Sequence, residues 1–164
     1  MWPRWQATWE RSPRRGCLAK TDTKIPGHSF IEATDGLTRA QASMLMQLRT
    51  GHVLLNWFLH CIGKAESPTC PGCMSAGELV HHFLFECLVH THAHHELAKM
   101  LGWKSKSLKH LLGSCHAFKP FLRFIQRLGR FKETHSDLFC RVNKDGPVPH
   151  ACRSQCCQQQ LNSY

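Results

Sequence analysis

Cys70 and Cys73, followed by His82 and Cys87, give the pattern Cys-x2-Cys-x8-His-x4-Cys within the stretch CPGCMSAGELVHHFLFEC. Zinc favours four tetrahedral sulfur and nitrogen ligands, and two cysteines separated by two residues can offer both thiolates to one ion from a tight turn. Pro71 and Gly72 supply that turn. Such a pattern constrains the fold more than any periodicity here, because it obliges a loop and a following segment to converge on one point. All four ligands are protein atoms, so the expected Zn2+ site is closed and structural rather than hydrolytic.

The fourth-ligand geometry raises an objection. Residues five apart on an ideal α-helix differ in direction by roughly 140°, so His82 and Cys87 would not share a face. Either His82 precedes the regular helix or the helix is distorted between the two. His81 fares no better, whereas Cys87 and His90 are three apart and would share a face with His94. The other histidines of this stretch, His92 and His95 with His90 and His94, read as a solvated polar face.

Around this loop the pattern is helical. Residues 2–11 place Trp2, Trp5 and Trp9 on one side of a short helix, and 12–36 read as an extended connection. At 37–50, Thr38 and Gln41 form a capping box and Gly51 sits at the C-cap, with Leu37, Gln41, Met44, Leu45 and Leu48 inward and Arg39 and Arg49 outward. Residues 56–62 are apolar nearly all round, so that helix should be buried, with Asn56 as its N-cap. Three-and-four spacing of Val80, Phe83, Leu84, Cys87 and Leu88 predicts the longest helix over 78–101. Shorter helices follow at 107–112, capped by Ser107, and at 117–131, with Pro120 in the first turn. The expected fold is mainly α: a small irregular helical domain of about five helices organised around one zinc-binding loop. Residues 1–36 form an N-terminal helix and connection, 37–132 the zinc-binding domain, and 133–164 a disordered tail without apolar period. The tail cysteines Cys140, Cys152, Cys156 and Cys157 match no common ligand spacing.

Charge points to the partner. The net charge is +10 in 164 residues, which favours polyanions, nucleic acid first. Between Glu96 and Glu133 there is no acidic residue, while Lys99, Lys104, Lys106, Lys109, Lys119, Arg123, Arg127, Arg130 and Lys132 are basic. Lys104, Lys106, Lys109, Lys119, Arg123, Arg127 and Arg130 are the candidate phosphate contacts, the three arginines sharing one face of the last helix. The start carries no continuous apolar segment and no stretch approaches membrane-span length, so an intracellular, reduced, non-membrane chain is expected, nuclear or cytoplasmic. Eleven scattered acidic residues supply neither polymerase aspartates nor a ribonuclease H carboxylate set. A thiol nucleophile built on Cys73 or Cys87 conflicts with their role as ligands. No catalytic residue is therefore assigned, and the chain reads as a non-enzyme.

Taken in order, QLRTGHVLLNWFLHCIGKAESPTCPGC, ELVHHFLFEC and FLRFIQRLGRF resemble the C-terminal region of non-LTR retrotransposon reverse transcriptase polyproteins, fungal ones especially. There a Leu-Arg-Thr-Gly-His motif precedes a Cys-Cys-His-Cys zinc-knuckle-like site. The resemblance implies Cys70, Cys73, His82 and Cys87 as the ligand set. It also implies an accessory role on RNA or DNA, or a purely structural docking role on the reverse transcriptase domain of the parent element. Cys61 stands where such sequences often have arginine, and the histidine-rich LVHTHAHHELAK replaces a more arginine-rich stretch.

Overall fold

A computed structural model describes residues 2–16, 18–21 and 28–135; the tail cysteines, and all of the expected disordered tail beyond residue 135, lie outside this range. The described chain is mainly helical and contains no strand. Seven α-helices run α1 Trp2–Arg11, α2 His28–Ala33, α3 Arg39–Thr50, α4 Asn56–Cys61, α5 Thr91–Leu101, α6 Leu108–Gly113 and α7 Cys115–Leu128. α5 and α6 both pack on α7.

The start of α3 forms as its sequence dictates. Gln41 N–H donates to Thr38 Oγ1 at 3.3 Å and Thr38 N–H donates to Gln41 Oε1 at 3.0 Å, while Gly51 takes the left-handed C-cap conformation at φ 77°. Met44, Leu45 and Leu48 enter the core. Arg49, expected outside, is also buried. Its Nη1 donates to the Leu112 carbonyl at 2.6 Å, and its guanidinium lies 4.1 Å from the centre of the Phe30 ring. Phe30 belongs to α2, a six-residue helix within what the sequence presents as an extended connection. So short a helix shows too little period to be read, yet it covers the border of the α3 apolar stripe where Arg49 sits.

Further expectations are overturned. α4 is not buried: none of its residues is, and Trp57 and Ile62 stand 44% and 49% exposed. It lies at the surface, with one edge of Trp57 against Gly77; a Cβ on that glycine would meet Trp57 Cε3 at 3.1 Å. Nor does Asn56 cap it, because the N-cap position is Leu55. Residues 78–101 are not one long helix either. They divide into a π-helical turn His82–Glu86, an extended Cys87 (φ −65°, ψ 116°), a 3-10 turn Leu88–His90, and α5. Trp5, on the aromatic side of α1, is 59% exposed.

α7 is the longest helix among the described residues, and it begins two residues earlier than its sequence pattern suggests. Pro120 thus lies beyond the first turn and cannot donate to the His116 carbonyl. The loss falls on the solvent side, since His116, Lys119 and Arg123 are exposed there. The opposite face buries Ala117, Phe118, Phe121, Leu122, Phe124 and Ile125. Phe118, Phe121, Leu122, Phe124 and Ile125 of this face join Met44, Leu45, Leu48, Phe83, Leu97, Leu111, Leu112 and Phe131 in the core. Each fully buried large side chain contributes about 1.5 to 3 kcal/mol.

Candidate metal centre

The loop that carries Cys70 and Cys73 is closed by main-chain hydrogen bonds. Cys70 N–H donates to the Ala76 carbonyl at 2.8 Å and Met74 N–H to the Cys70 carbonyl at 2.9 Å, and an antiparallel bridge pairs Thr69 with Gly77. Met74 adopts φ 55°, the left-handed conformation that lets the chain reverse here. The turn therefore aims both thiols at the segment that follows.

The π-helical turn brings the other two ligands to them. Cys87 N–H donates to the His82 carbonyl at 2.9 Å, a bond spanning five residues instead of four. The wider π-helical turn brings His82 and Cys87 closer in direction than the roughly 140° offset of an α-helix allows. Distortion between the two residues is thus the solution this chain adopts. A neighbouring helix supports it: His94 on α5 has its Nε2 3.3 Å from the Phe83 carbonyl and its ring stacked on Phe124.

The ligand atoms of Cys70, Cys73, His82 and Cys87 all lie within 4.8 Å of one another. Cys70 Sγ and Cys87 Sγ are 3.8 Å apart, and Cys73 Sγ is 3.3 Å from His82 Nε2. A tetrahedral ion with metal–sulfur bonds of about 2.3 Å and metal–nitrogen bonds of about 2.0 Å has edges of about 3.8 Å and 3.5 Å. The donor set therefore fits a metal ion in spacing as well as in chemistry. Cys70, His82 and Cys87 are buried, so solvent reaches the site mainly at Cys73.

Electrostatics divides the thiols. Hydrogen bonds from the Ser75 hydroxyl and main chain lower Cys73 to about 6, so it gives up its proton more readily than an ordinary cysteine. Burial raises Cys87 to about 11, with Cys70 adding to the effect. An incoming cation must displace the Cys87 proton. His82 turns Nε2 toward Cys73, and its Nδ1 lies 3.7 Å from Glu86 Oε2, beyond hydrogen-bond length.

The alternative histidines are used otherwise. His81 is exposed, its Nδ1 3.0 Å from Glu86 Oε1. His90 packs edge-on to Phe83, and both His90 and His94 titrate below the ordinary histidine range because burial disfavours their charge. Half of the supposed solvated histidine face is therefore packing, with His92 and His95 left exposed.

One ion pair ties the loop to the end of α7. Glu78 is buried and accepts from Arg130 Nε at 2.7 Å, from Arg130 Nη2 at 2.8 Å, and from the Asn56 main-chain N–H at 2.6 Å. Asn56 Oδ1 accepts from Arg130 Nη2 at 3.1 Å, and its Nδ2 donates to the Thr69 carbonyl at 2.9 Å. Glu78 thus caps α4 from outside and holds Arg130 against the loop. The hydrogen bond to Glu78 raises Arg130 still further above the ordinary guanidinium range.

This corrects the placement of Arg130 among the phosphate contacts. α7 ends at Leu128, and Gly129 in the left-handed region (φ 66°) turns the chain inward. The row on the helix surface is instead Lys119, Arg123 and Arg127, four residues apart and exposed. Arg127 Nη1 lies 3.9 Å from Glu96, which also accepts from Lys99 at 2.9 Å. Among the described residues, Lys104, Lys106, Lys109, Lys119 and Arg123 pair with no carboxylate, and all but the half-buried Lys104 are exposed. Sequence reasoning missed Glu78 and Glu86 and gave Asn56 only as a helix cap; no Lys or Arg lies between Lys64 and Lys99, so nothing near these acids in the sequence pointed to Arg130.

No protein-family model matches the chain, and neither a curated protein nor a solved structure shows significant similarity to it. Among the described residues no helix is long and apolar enough to cross a membrane.

Proposed function

We propose that this chain is a zinc-stabilised helical module that holds RNA or DNA through phosphate contacts and performs no catalysis. The zinc assignment rests on chemistry: three thiolates and one imidazole at tetrahedral spacing suit a structural Zn2+ better than an oxygen-seeking ion. The observation that carries the nucleic-acid reading is the basic surface. Lys106, Lys109, Lys119 and Arg123 are exposed, lack carboxylate partners among the described residues, and lie in a stretch without one acidic side chain. Phosphates are the natural counter-charge for such a surface. The resemblance to non-LTR retrotransposon polyproteins supports the same role, as an accessory grip on template or target beside a reverse transcriptase.

Binding of labelled RNA and DNA at two salt concentrations tests it. Affinity should fall steeply with salt, and replacing Lys119 and Arg123 by alanine should make the salt slope shallower by about one for each phosphate that these side chains neutralise. No binding at low salt, or binding indifferent to salt, contradicts the proposal. A second reading, docking on the reverse transcriptase without nucleic-acid contact, is favoured by Met74, Leu88 and Val89, which stand 59–77% exposed beside the metal loop. It predicts that charge reversal at Lys119 and Arg123 leaves the module's function untouched.

A further inference from the structure

We infer that Trp103 is a stacking platform for a base of an unpaired nucleic-acid strand, with Lys104 and Lys106 taking the flanking phosphates. The inference rests on the nucleic-acid reading and adds to it a strand type and a contact residue. Trp103 is 80% exposed, more than any other large apolar side chain among the described residues. An indole left in water is a poor contributor to the core and a good surface for a partner with an apolar face and a polar edge.

The turn that carries it is built firmly. Gly102–Lys106 is a 3-10 segment closing α5; Gly102 takes φ 60°, Ser105 is buried with its hydroxyl donating to the Gly102 carbonyl at 2.7 Å, and Ser107 N–H donates to the Lys104 carbonyl at 3.1 Å. Trp103 is therefore held out by a rigid element, which lowers the entropy lost when a ligand stacks on it. Lys104 Nζ lies 5.9 Å from the centre of the ring, within the range of a cation–π contact.

The surroundings select the occupant. No carboxylate occurs from residue 97 to 132, and Glu96 already pairs with Lys99 and Arg127. The turn packs against α6 and α6 against α7, which sets Lys104, Lys106 and Lys109 in one region with the start of α7. Lys119 and Arg123 continue it along α7. An aromatic face set in a field of cations suits a polyanion that also offers flat rings, which describes nucleic acid. In a duplex those rings are covered by their neighbours, so the indole selects an unpaired strand.

Fluorescence anisotropy of the full zinc-loaded chain, with a labelled oligouridylate of about 12 nucleotides and a duplex RNA of the same length, tests this. Trp103→Ala should weaken single-strand binding about tenfold while changing duplex binding less than about twofold, and Trp103→Phe should restore most of the loss. Equal single-strand affinity for Trp103→Ala and the parent chain overturns the inference while leaving phosphate binding intact. A parallel loss on both probes with a lowered melting temperature overturns it too, because Trp103 would then be structural. Equally Trp103-dependent binding of polyglutamate would replace the strand with an acidic peptide. Failure of the parent chain to bind either RNA at low salt removes the nucleic-acid reading itself.

Discussion

The segment from Thr69 to His90 and the helices that follow it reach fixed structures by different means. The first is irregular: a bridge, a left-handed methionine, a π-helical turn and a 3-10 turn succeed one another. Its buried polar and sulfur atoms converge on a point where an ion would satisfy them. α5, α6 and α7 are regular and are held by Leu97, Leu111, Leu112, Phe118, Phe121, Phe124 and Ile125. A small chain can abandon regular helix where metal coordination replaces the lost burial, and needs apolar packing where nothing else does.

The division between the two regions breaks most visibly at Cys70, which is buried beside Cys87. Cys70→Ser should abolish stoichiometric metal binding and unfold residues 69–90, since structural zinc contributes apparent binding energies of about 10 to 16 kcal/mol in small domains. Heteronuclear NMR would show loop resonances collapsing first. Phe121→Ala acts on the other region: it should cost about 3 to 5 kcal/mol in denaturant titration yet leave the metal content of the folded fraction at the parent level.

Glu78 and Arg130 join the two regions, so Arg130→Ala should affect both. Removing one partner of a buried pair leaves an uncompensated charge and costs about 3 to 5 kcal/mol; Arg130→Ala with Glu78→Gln should recover part of it. Thermal melts of the single and double variants check the coupling. Acidification gives a smaller, graded effect. Burial holds His90, His94, His110 and His135 below the ordinary histidine value of 6.5, so the unfolded chain binds more protons as pH falls through that value. Stability should therefore decline from neutral pH downward, and His94→Phe should flatten the decline in metal-loaded protein measured by urea titration. The smallest effect is expected at the edge of the core: Thr38→Ala removes the α3 capping box at a cost of about 1 kcal/mol, read as a small shift of the urea midpoint.

What the sequence revealed differs between the same regions. The α3 cap, the inner residues Met44, Leu45 and Leu48, and the mainly helical fold all follow from local spacing, which the structure respects. The five-residue gap from His82 to Cys87 was legible as a conflict, and the π-helical turn is its resolution. The fate of Arg49 and Arg130 was not legible. Arg49 depends on Phe30 from α2 and on the Leu112 carbonyl; Arg130 depends on the inward turn at Gly129 and on Glu78, 52 residues away. Apolar content misled at α4, because periodicity reports how apolar a helix is and not what tertiary neighbour covers it.

That Cys70, Cys73, His82 and Cys87 hold one metal ion which shapes the loop is tested most directly by cobalt titration of the reduced full chain, followed by visible absorption. Saturation is expected at one equivalent with a tetrahedral, thiolate-rich spectrum, displacement by zinc, and loss of the spectrum in Cys87→Ser. A chain that takes up no cobalt and keeps the same melting temperature in excess chelator would contradict it.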